Sequence, residues 1–209
     1  MEKPLINILI RTSRRPNYFN RCIESIRSQT YTNYRIIVSV DTPGSFAYAC
    51  KHDVQIVQVK RLSKKSALHA PYNLYNNELL QHAKRGWIMF LDDDKMFSRN
   101  NALSIIAGSI ISTREMLIWR VKLGTGRLVP ATKFMSRFPA RNQIDSSCAC
   151  FHSKYRDKHK WDDQRAGDYR FLALLYRRIP HHAWIDEVLV KTDNNGLKGQ
   201  PLDLKIKKK

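Results

Sequence analysis

Hydrophobic and polar positions divide the chain into short apolar runs, most of them closed by a polar or acidic turn. Residues 5–10 (LINILI) and 35–40 (RIIVSV) are β-branched runs that suit buried strands. Residues 87–91 (WIMFL) are apolar without a break, the pattern of a strand buried on both faces. Residues 54–59 (VQIVQV) alternate, which predicts an outer strand. Helical spacing fills the gaps. Phe19, Cys22, Ile23 and Ile26 share one face of a helix that Asn17 caps and that runs to about Gln29. Leu74, Leu79, Leu80 and Ala83 predict a second helix from Pro71 to about Arg85. The order strand, helix, strand, strand, helix, strand predicts an α/β fold, a largely parallel, doubly wound sheet with three strand ends on one edge.

The second half is less regular. A helix is expected over 102–111, a strand over 115–123, and a hairpin through Gly124, Thr125 and Gly126 into 127–130. Residues 131–143 interleave Lys133, Arg137 and Arg141 with Phe134 and Phe138. That loop is either solvated and anchored by two aromatics or a flap facing substrate. Residues 144–152 alternate as a strand would, a helix is expected from about Asp168 to Arg177, and a last strand over 183–190. The basic end, with Lys205 and Lys207 to Lys209, has the composition of a disordered tail.

The predicted strand ends carry the chemistry. The first runs into Thr12, Ser13, Arg14 and Arg15, the second into Asp41, and the third into Asp92, Asp93 and Asp94. Open α/β sheets bind ligands at such ends. Three adjacent acids repel one another unless water, hydrogen-bond donors or a cation offset the repulsion, and a divalent cation does so economically. Strand alternation points Asp92 and Asp94 one way and Asp93 the other. A solvated acidic turn is the plain alternative.

Charge narrows the partners. Thirty-seven Lys and Arg against 18 Asp and Glu give a net charge of +19, a field that favours anionic partners: nucleic acid, phosphorylated small molecules or an anionic membrane surface. No helix-turn-helix, zinc knuckle, RNP-like strand or second carboxylate cluster is present, so a nucleic-acid-binding protein or nuclease is the weaker reading. Cys22, Cys50, Cys148 and Cys150 have no zinc spacing, and buried free thiols in a reducing cytosol are expected. No signal peptide and no apolar run of roughly 20 residues is found. The expectation is a soluble cytoplasmic protein, with peripheral contact at the inner membrane face left open.

Taken together, ILIRTSRRPNYFNRCIESIRSQTYTNYRIIVSVDTPG and WIMFLDDDKMF resemble, in order and spacing, the opening and the Phe-Leu-Asp-x-Asp strand end of family 2 glycosyltransferases of the GT-A fold. The resemblance implies a single domain over 1–209. A nucleotide-sugar half would span about 1–97, an acceptor and catalytic half about 98–195, and a basic tail 196–209. It also implies a nucleotide-diphosphate-sugar donor, a divalent cation (Mn²⁺ or Mg²⁺) on its diphosphate, transfer to a glycan or lipid-linked acceptor, and inversion. Residue by residue it places Thr12, Arg14 and Arg15 at the nucleotide and its phosphates, Asp41 at the base, Asp92 at the ribose, Asp93 in the variable middle position and also among the nucleotide-sugar-binding residues, and Asp94 on the metal. Asp168 stands where the family's catalytic base opens a helix. The usual Glu before it is Gly167 here, which leaves Asp162 and Asp163 in reserve. Lys95 is a further candidate for the phosphates. His181 or His182 is either an extra metal ligand or an ordinary turn histidine. Trp119 and Trp161 belong either to a sugar face or to the core. A nucleotidyltransferase is the nearer enzymatic rival, although RTSRRPNYF lacks the glycine-rich signature such enzymes carry after the first strand.

Overall fold

The computed structural model describes residues 3–67 and 69–192. The basic tail expected over 196–209 lies outside the described residues. One mixed nine-stranded sheet organises the chain, in the order β3-β2-β1-β4-β8-β6-β9-β5, with β7 paired on β6. The first four of these are β1 (Ile6–Thr12), β2 (Tyr34–Val40), β3 (Gln55–Gln58) and β4 (Trp87–Phe90), all mutually parallel. The alternating β3 is an edge strand, as its pattern predicts, and β4 is buried at every position.

Beyond β4 the sheet changes character. β8 (Ala149–His152) runs antiparallel to both β4 and β6 (Glu115–Lys122), and β6 pairs in parallel with β9 (His181–Thr192). β5 (Lys95–Phe97) closes the far edge antiparallel to β9, and β7 (Leu128–Val129) forms the expected hairpin with β6. The parallel character inferred from the first 97 residues therefore belongs to one half of the sheet. The return of the chain after α4 (Ala102–Gly108) builds the other half mostly from antiparallel neighbours, which periodicity within single strands does not reveal.

The helices follow their apolar stripes. α1 (Pro16–Arg27) buries Tyr18, Phe19, Cys22, Ile23 and Ile26, and α3 (Tyr75–His82) buries Leu79 and Leu80 beneath the parallel strands. Asn17 is not the cap of α1. Pro16 fills the first helical position, where its missing N–H costs nothing, and Arg15 stands before it with no side-chain capping bond. α2 (Pro43–Ala49) occupies what the Thr-Pro-Gly sequence suggests is only a turn, because the Thr42 side chain accepts a bond of 3.1 Å from Ser45 N and Pro43 opens a helix. α5 (Gly167–Arg178) packs Phe171, Leu172 and Leu175 into the core. Gly86 turns the chain into β4 with φ +81°, and an added Cβ there would stand 2.5 Å from the Leu5 carbonyl oxygen.

Two expected strand limits move. Asp145 caps a 3₁₀ turn over Ser146–Cys148 by accepting from Ser147 N at 2.9 Å, so β8 begins only at Ala149. β9 begins at His181, earlier than expected, which puts both histidines inside a strand beside Glu115 and Met116.

Candidate active site

Because β1, β2 and β4 are parallel, their carboxyl ends open on one edge of the sheet, where Thr12, Asp41 and the acids at 92–94 gather. Alternation along β1 sends its last two side chains to different tasks. Thr12 is buried, shares a 2.7 Å hydrogen bond with the Tyr48 hydroxyl, and donates to Asp93 Oδ2 at 2.8 Å. Arg11 turns to the cleft, donating to Asp92 Oδ1 from Nη2 at 2.6 Å and from Nε at 3.2 Å. Its Nη1 reaches the Tyr72 carbonyl (3.2 Å) and Asn73 Oδ1 (3.1 Å).

The three acids follow β4 in a turn rather than in the strand, and they differ in burial. Asp93 is 0% exposed and is held by Thr12 and by an ion pair with Arg15 Nη2. The expectation that Asp93 touches nucleotide is corrected: its carboxylate has no open surface, and it locks Thr12 and Arg15 in place. Burial, opposed by Arg15 and reinforced by Asp94, pushes its pKa up to about 7. Asp92 and Asp94 keep 24% and 20% of their side-chain surface. Burial alone would raise Asp92, but Arg11 and Lys95 outweigh it and hold the acid below the usual carboxylate range. Asp94 is raised by burial and then by repulsion from Asp92, with Arg15 Nη1 3.6 Å away. Asp94 therefore carries negative charge that its protein neighbours leave incompletely offset.

The opposite wall comes from the other half of the sheet. Asp168 lies in the first turn of α5, where the backbone dipole favours a carboxylate, and its Oδ1 accepts from Tyr169 N at 2.8 Å. Burial, then repulsion from Asp145, pushes its pKa up to about 6. A cavity of about 190 Å³ is lined by Asp168, Asp92, Asp145, Arg11, Tyr72 and Arg165, among others. A larger hollow of about 290 Å³, lined by Arg35, Asp53 and Gln55, lies where β2 and β3 begin, at the opposite end of these strands from the acids.

Sequence reasoning missed part of this wall. Asp145 pairs with the buried Lys95 Nζ, which also lies 3.9 Å from Asp92 Oδ2. Burial alone would lower the Lys95 pKa, but Asp145 and then Asp92 raise it. Arg11 was legible in principle, since it stands one alternation step from Thr12. Asp145 sits in IDSSCACFH with no motif around it, and only the fold of β8 against β4 brings it to the acids.

Other expected residues fall as follows. Arg14 has φ +54° and donates its backbone N–H to Ser45 Oγ at 3.0 Å, with its Nε buried and unpaired. Asp41 accepts from the Tyr75 hydroxyl at 3.4 Å, and its Oδ1 is buried without a partner. The reserve acids are engaged elsewhere: Asp162 accepts twice from Arg170 (2.5 and 2.6 Å) and Asp163 faces His69 Nε2 at 3.0 Å. The Arg170 bond holds Asp162 below its usual range, the wrong direction for a base. His181 and His182, left open between a metal ligand and a turn histidine, lie in a strand rather than a turn. They open β9, whose other end, at Thr192, pairs with Lys95, and His182 stacks on Tyr176 and bonds its carbonyl at 2.8 Å. Trp119 is core, while Trp161 stacks on Phe171 and lends an edge to the cavity. Cys148 and Cys150 are buried, and burial raises both thiols, away from the thiolate a nucleophile needs. Gly167 has a steric reason: a Cβ there would lie 2.6 Å from Asn73 Nδ2.

The donor set suits a hard divalent cation held by one or two carboxylates, with water and phosphate oxygens completing its shell. Asp94 supplies an incompletely compensated oxygen donor and Asp92 a second beside it. Among the described residues, no group of three or more His, Cys, Asp or Glu side chains could hold an ion by itself.

Comparison with known proteins agrees with the architecture. The family model described as Glycosyl transferase family 2 matches residues 8–178. The crystal structure of S. aureus TarS 1-349 in complex with UDP superimposes with a TM-score of 0.73 at 16% identity, covering 90% of this chain and 60% of that one. TarS 1-349 in complex with UDP-GlcNAc gives 0.69 at 16%, covering 90% and 58%. The mannosyltransferase PcManGT from Pyrobaculum calidifontis, in complex with GDP-Man and Mn²⁺, gives 0.68 at 14%, covering 92% and 58%. The chain thus spans about three fifths of the length of these structures. No curated protein sequence matches it. No helix among the described residues is long and apolar enough to cross a membrane.

Proposed function

The chain belongs to glycosyl transferase family 2, and from that premise we propose that it transfers a sugar from a nucleotide-diphosphate sugar to an acceptor hydroxyl, with inversion and with a divalent cation on the diphosphate. The observation that carries this reading is the shared cavity: Asp92 from the end of β4 and Asp168 from the start of α5 line it from opposite halves of the sheet. One acid group faces the donor and one faces the acceptor, which is the division that direct displacement needs.

On the donor side, Asp41, at the end of β2, is the carboxylate assigned to the base, and Asp92, oriented by Arg11, accepts from a ribose hydroxyl. Thr12 and Asp93 hold the turn, and Arg15, fixed by Asp93, and Arg14 lie toward the phosphates. Asp94, with Asp92 beside it, would hold Mn²⁺ or Mg²⁺, which when bound stabilises the negative charge that the leaving diphosphate develops. On the acceptor side Asp168 takes the hydroxyl proton as attack proceeds. Its pKa of about 6 keeps it ionised at neutral pH while leaving it more basic than an ordinary aspartate. Soluble, cytoplasmic action on a glycan or lipid-linked acceptor, with peripheral contact at an anionic membrane face, completes the proposal and fits the basic surface.

The test is a thermal-shift panel of nucleoside diphosphates and nucleotide sugars with Mn²⁺, Mg²⁺ or EDTA, repeated on Asp94→Ala. One diphosphate at about 100 times its Kd should stabilise the protein by about 2.7 kcal/mol, a rise on the order of 5–10 °C for a chain of this size, and only with the cation and the intact Asp94. Stabilisation that ignores the cation removes the metal from the proposal. If no nucleotide has any effect, the transferase reading goes with it.

A further inference from the structure

The cavity that holds Asp168 has a rim that donor binding leaves unused. Arg165 is exposed, lines the cavity, and stands three residues before Asp168, with the left-handed Ala166 (φ +58°) between them. The loop between β3 and the 3₁₀ turn Pro71–Leu74 carries Lys64 and Lys65, and its backbone is pinned at both ends. Leu62 N donates to the Tyr75 hydroxyl at 2.9 Å. At the other end Lys65 N donates to His69 Nδ1 at 3.0 Å, and His69 Nε2, left as the protonated nitrogen, faces Asp163 at 3.0 Å. Ala70 N adds a 2.6 Å bond to the Asp163 carbonyl. One imidazole therefore separates the Lys65 backbone from the segment that carries Arg165 and the base.

Lys64, Lys65 and Arg165 are exposed, and among the described residues no carboxylate pairs with any of them. The nearby acids are already committed, Asp162 to Arg170 and Asp163 to His69. Tyr72, 50% exposed, adds an aromatic ring on the same cavity wall, over Arg11. Uncompensated cations on neighbouring segments cost free energy, and a solvated basic loop needs no anchor on the segment that leads into the helix bearing the base. A ring for the apolar face of a sugar and the Arg165 guanidinium on one cavity, with two exposed lysines on the loop tethered next to it, describe a ligand with both an apolar face and an anion.

We propose that the acceptor is an anionic saccharide, bearing phosphate or carboxylate close to the hydroxyl that is glycosylated, and that Arg165, Lys64 and Lys65 bind that charge. This rests on the transferase reading, because it takes the Asp168 side of the cavity as the acceptor side. The diphosphate of the donor belongs to the opposite wall, so the rim selects the acceptor.

The test titrates the full chain, with EDTA present and at about 0.15 M ionic strength, against labelled oligogalacturonate, inorganic oligophosphate and neutral dextran oligomers, read by fluorescence anisotropy. The triple variant Lys64→Gln/Lys65→Gln/Arg165→Gln is compared with Lys133→Gln/Arg137→Gln/Arg141→Gln, which removes the same charge from the 131–143 loop. The expected result is binding of at least one anionic oligomer, weakened about tenfold or more by the rim variant and less than threefold by the control, with dextran unbound. The tighter of the two anions names phosphate or carboxylate. Equal loss in both variants reduces the effect to net charge and overturns the proposal. Loss confined to the control moves the anion to the other loop, and dextran binding as tightly as the anions removes charge from recognition; either result also overturns it. No nucleotide enters this titration, so failure of the donor reading appears separately, in the thermal-shift panel.

Discussion

Asp93 and Asp168 are both raised by burial, to about 7 and about 6, yet their surroundings differ in kind. Asp93, in the parallel half, is sealed from solvent and closed by Thr12 and Arg15. Asp168, at the mixed half, lines an open cavity, takes its one described hydrogen bond from a backbone N–H, and faces a second acid, Asp145. The difference teaches that a perturbed acid marks chemistry only when its environment leaves the carboxylate something to do. The lock at Asp93 is satisfied from within, whereas the charge at Asp168 awaits a proton from a ligand.

The largest effect that separates the two is on turnover. Asp168→Asn should lower kcat by about 10²–10⁴-fold, the usual contribution of a positioned base, while nucleotide binding in the thermal-shift assay is unchanged. The same variant should be more stable at pH 8. Asp168 has a folded-state pKa near 6, above the unfolded value of about 3.9. Its stabilising contribution is complete below the unfolded value and is lost as pH rises through 6, so at pH 8 the ionised group opposes folding and Asn relieves it by about 1–2 kcal/mol. An Asp168→Asn enzyme that keeps full turnover would break the comparison outright. Asp93→Ala should do the reverse. It leaves Arg15 with only the 3.6 Å contact to Asp94, beside a new cavity, and should cost about 3 kcal/mol of stability in a denaturant melt, with turnover per folded molecule reduced far less than by Asp168→Asn.

The pH profile sharpens the same contrast with a smaller effect. The rate should fall tenfold per unit below about pH 6 as Asp168 takes a proton, and Asp168→Asn should flatten that limb. If Asp93→Asn flattens it instead, the locked acid is the working one.

Much of the parallel half was legible because each of its strands announces itself alone. Five unbroken apolar residues before three acids fix β4, and a β-branched run before Thr12 fixes β1. The alternation expected for the three acids does not carry over as strand geometry, because β4 ends at Phe90 and one guanidinium, that of Arg15, reaches both Asp93 and Asp94; that Asp93 is sealed was not legible either. The mixed half depends on pairings between segments far apart in the chain. Asp145 reaches the acids because β8 lies against β4, and His181 is carried away from them because β9 starts beside Glu115. No spacing within residues 144–152 or 181–192 encodes either fact. α2 was hidden for a local reason, since Thr-Pro-Gly serves a turn and a helix start equally well until Thr42 is seen capping Ser45.

The smallest effect tests how tightly the two halves are joined. Asn73 bridges them, with Oδ1 accepting from Arg11 Nη1 at 3.1 Å and Nδ2 donating to the Gln164 carbonyl at 2.9 Å. Gly167→Ala would bring a Cβ to 2.6 Å from that Nδ2 and force the amide to swing away. The two lost hydrogen bonds cost about 1 kcal/mol each, while alanine near a helix start returns up to about 1 kcal/mol. Stability should therefore fall by only about 1 kcal/mol, a shift on the order of 2–4 °C in Tm. Arg11, losing one of its supports, should orient Asp92 less well and raise the donor KM about twofold, with kcat and the pH limb of Asp168 unchanged. A change in that limb without a change in donor KM would mean that Asn73 acts on the base side alone, and the bridge between the halves would have to be sought in Lys95 and Asp145 instead.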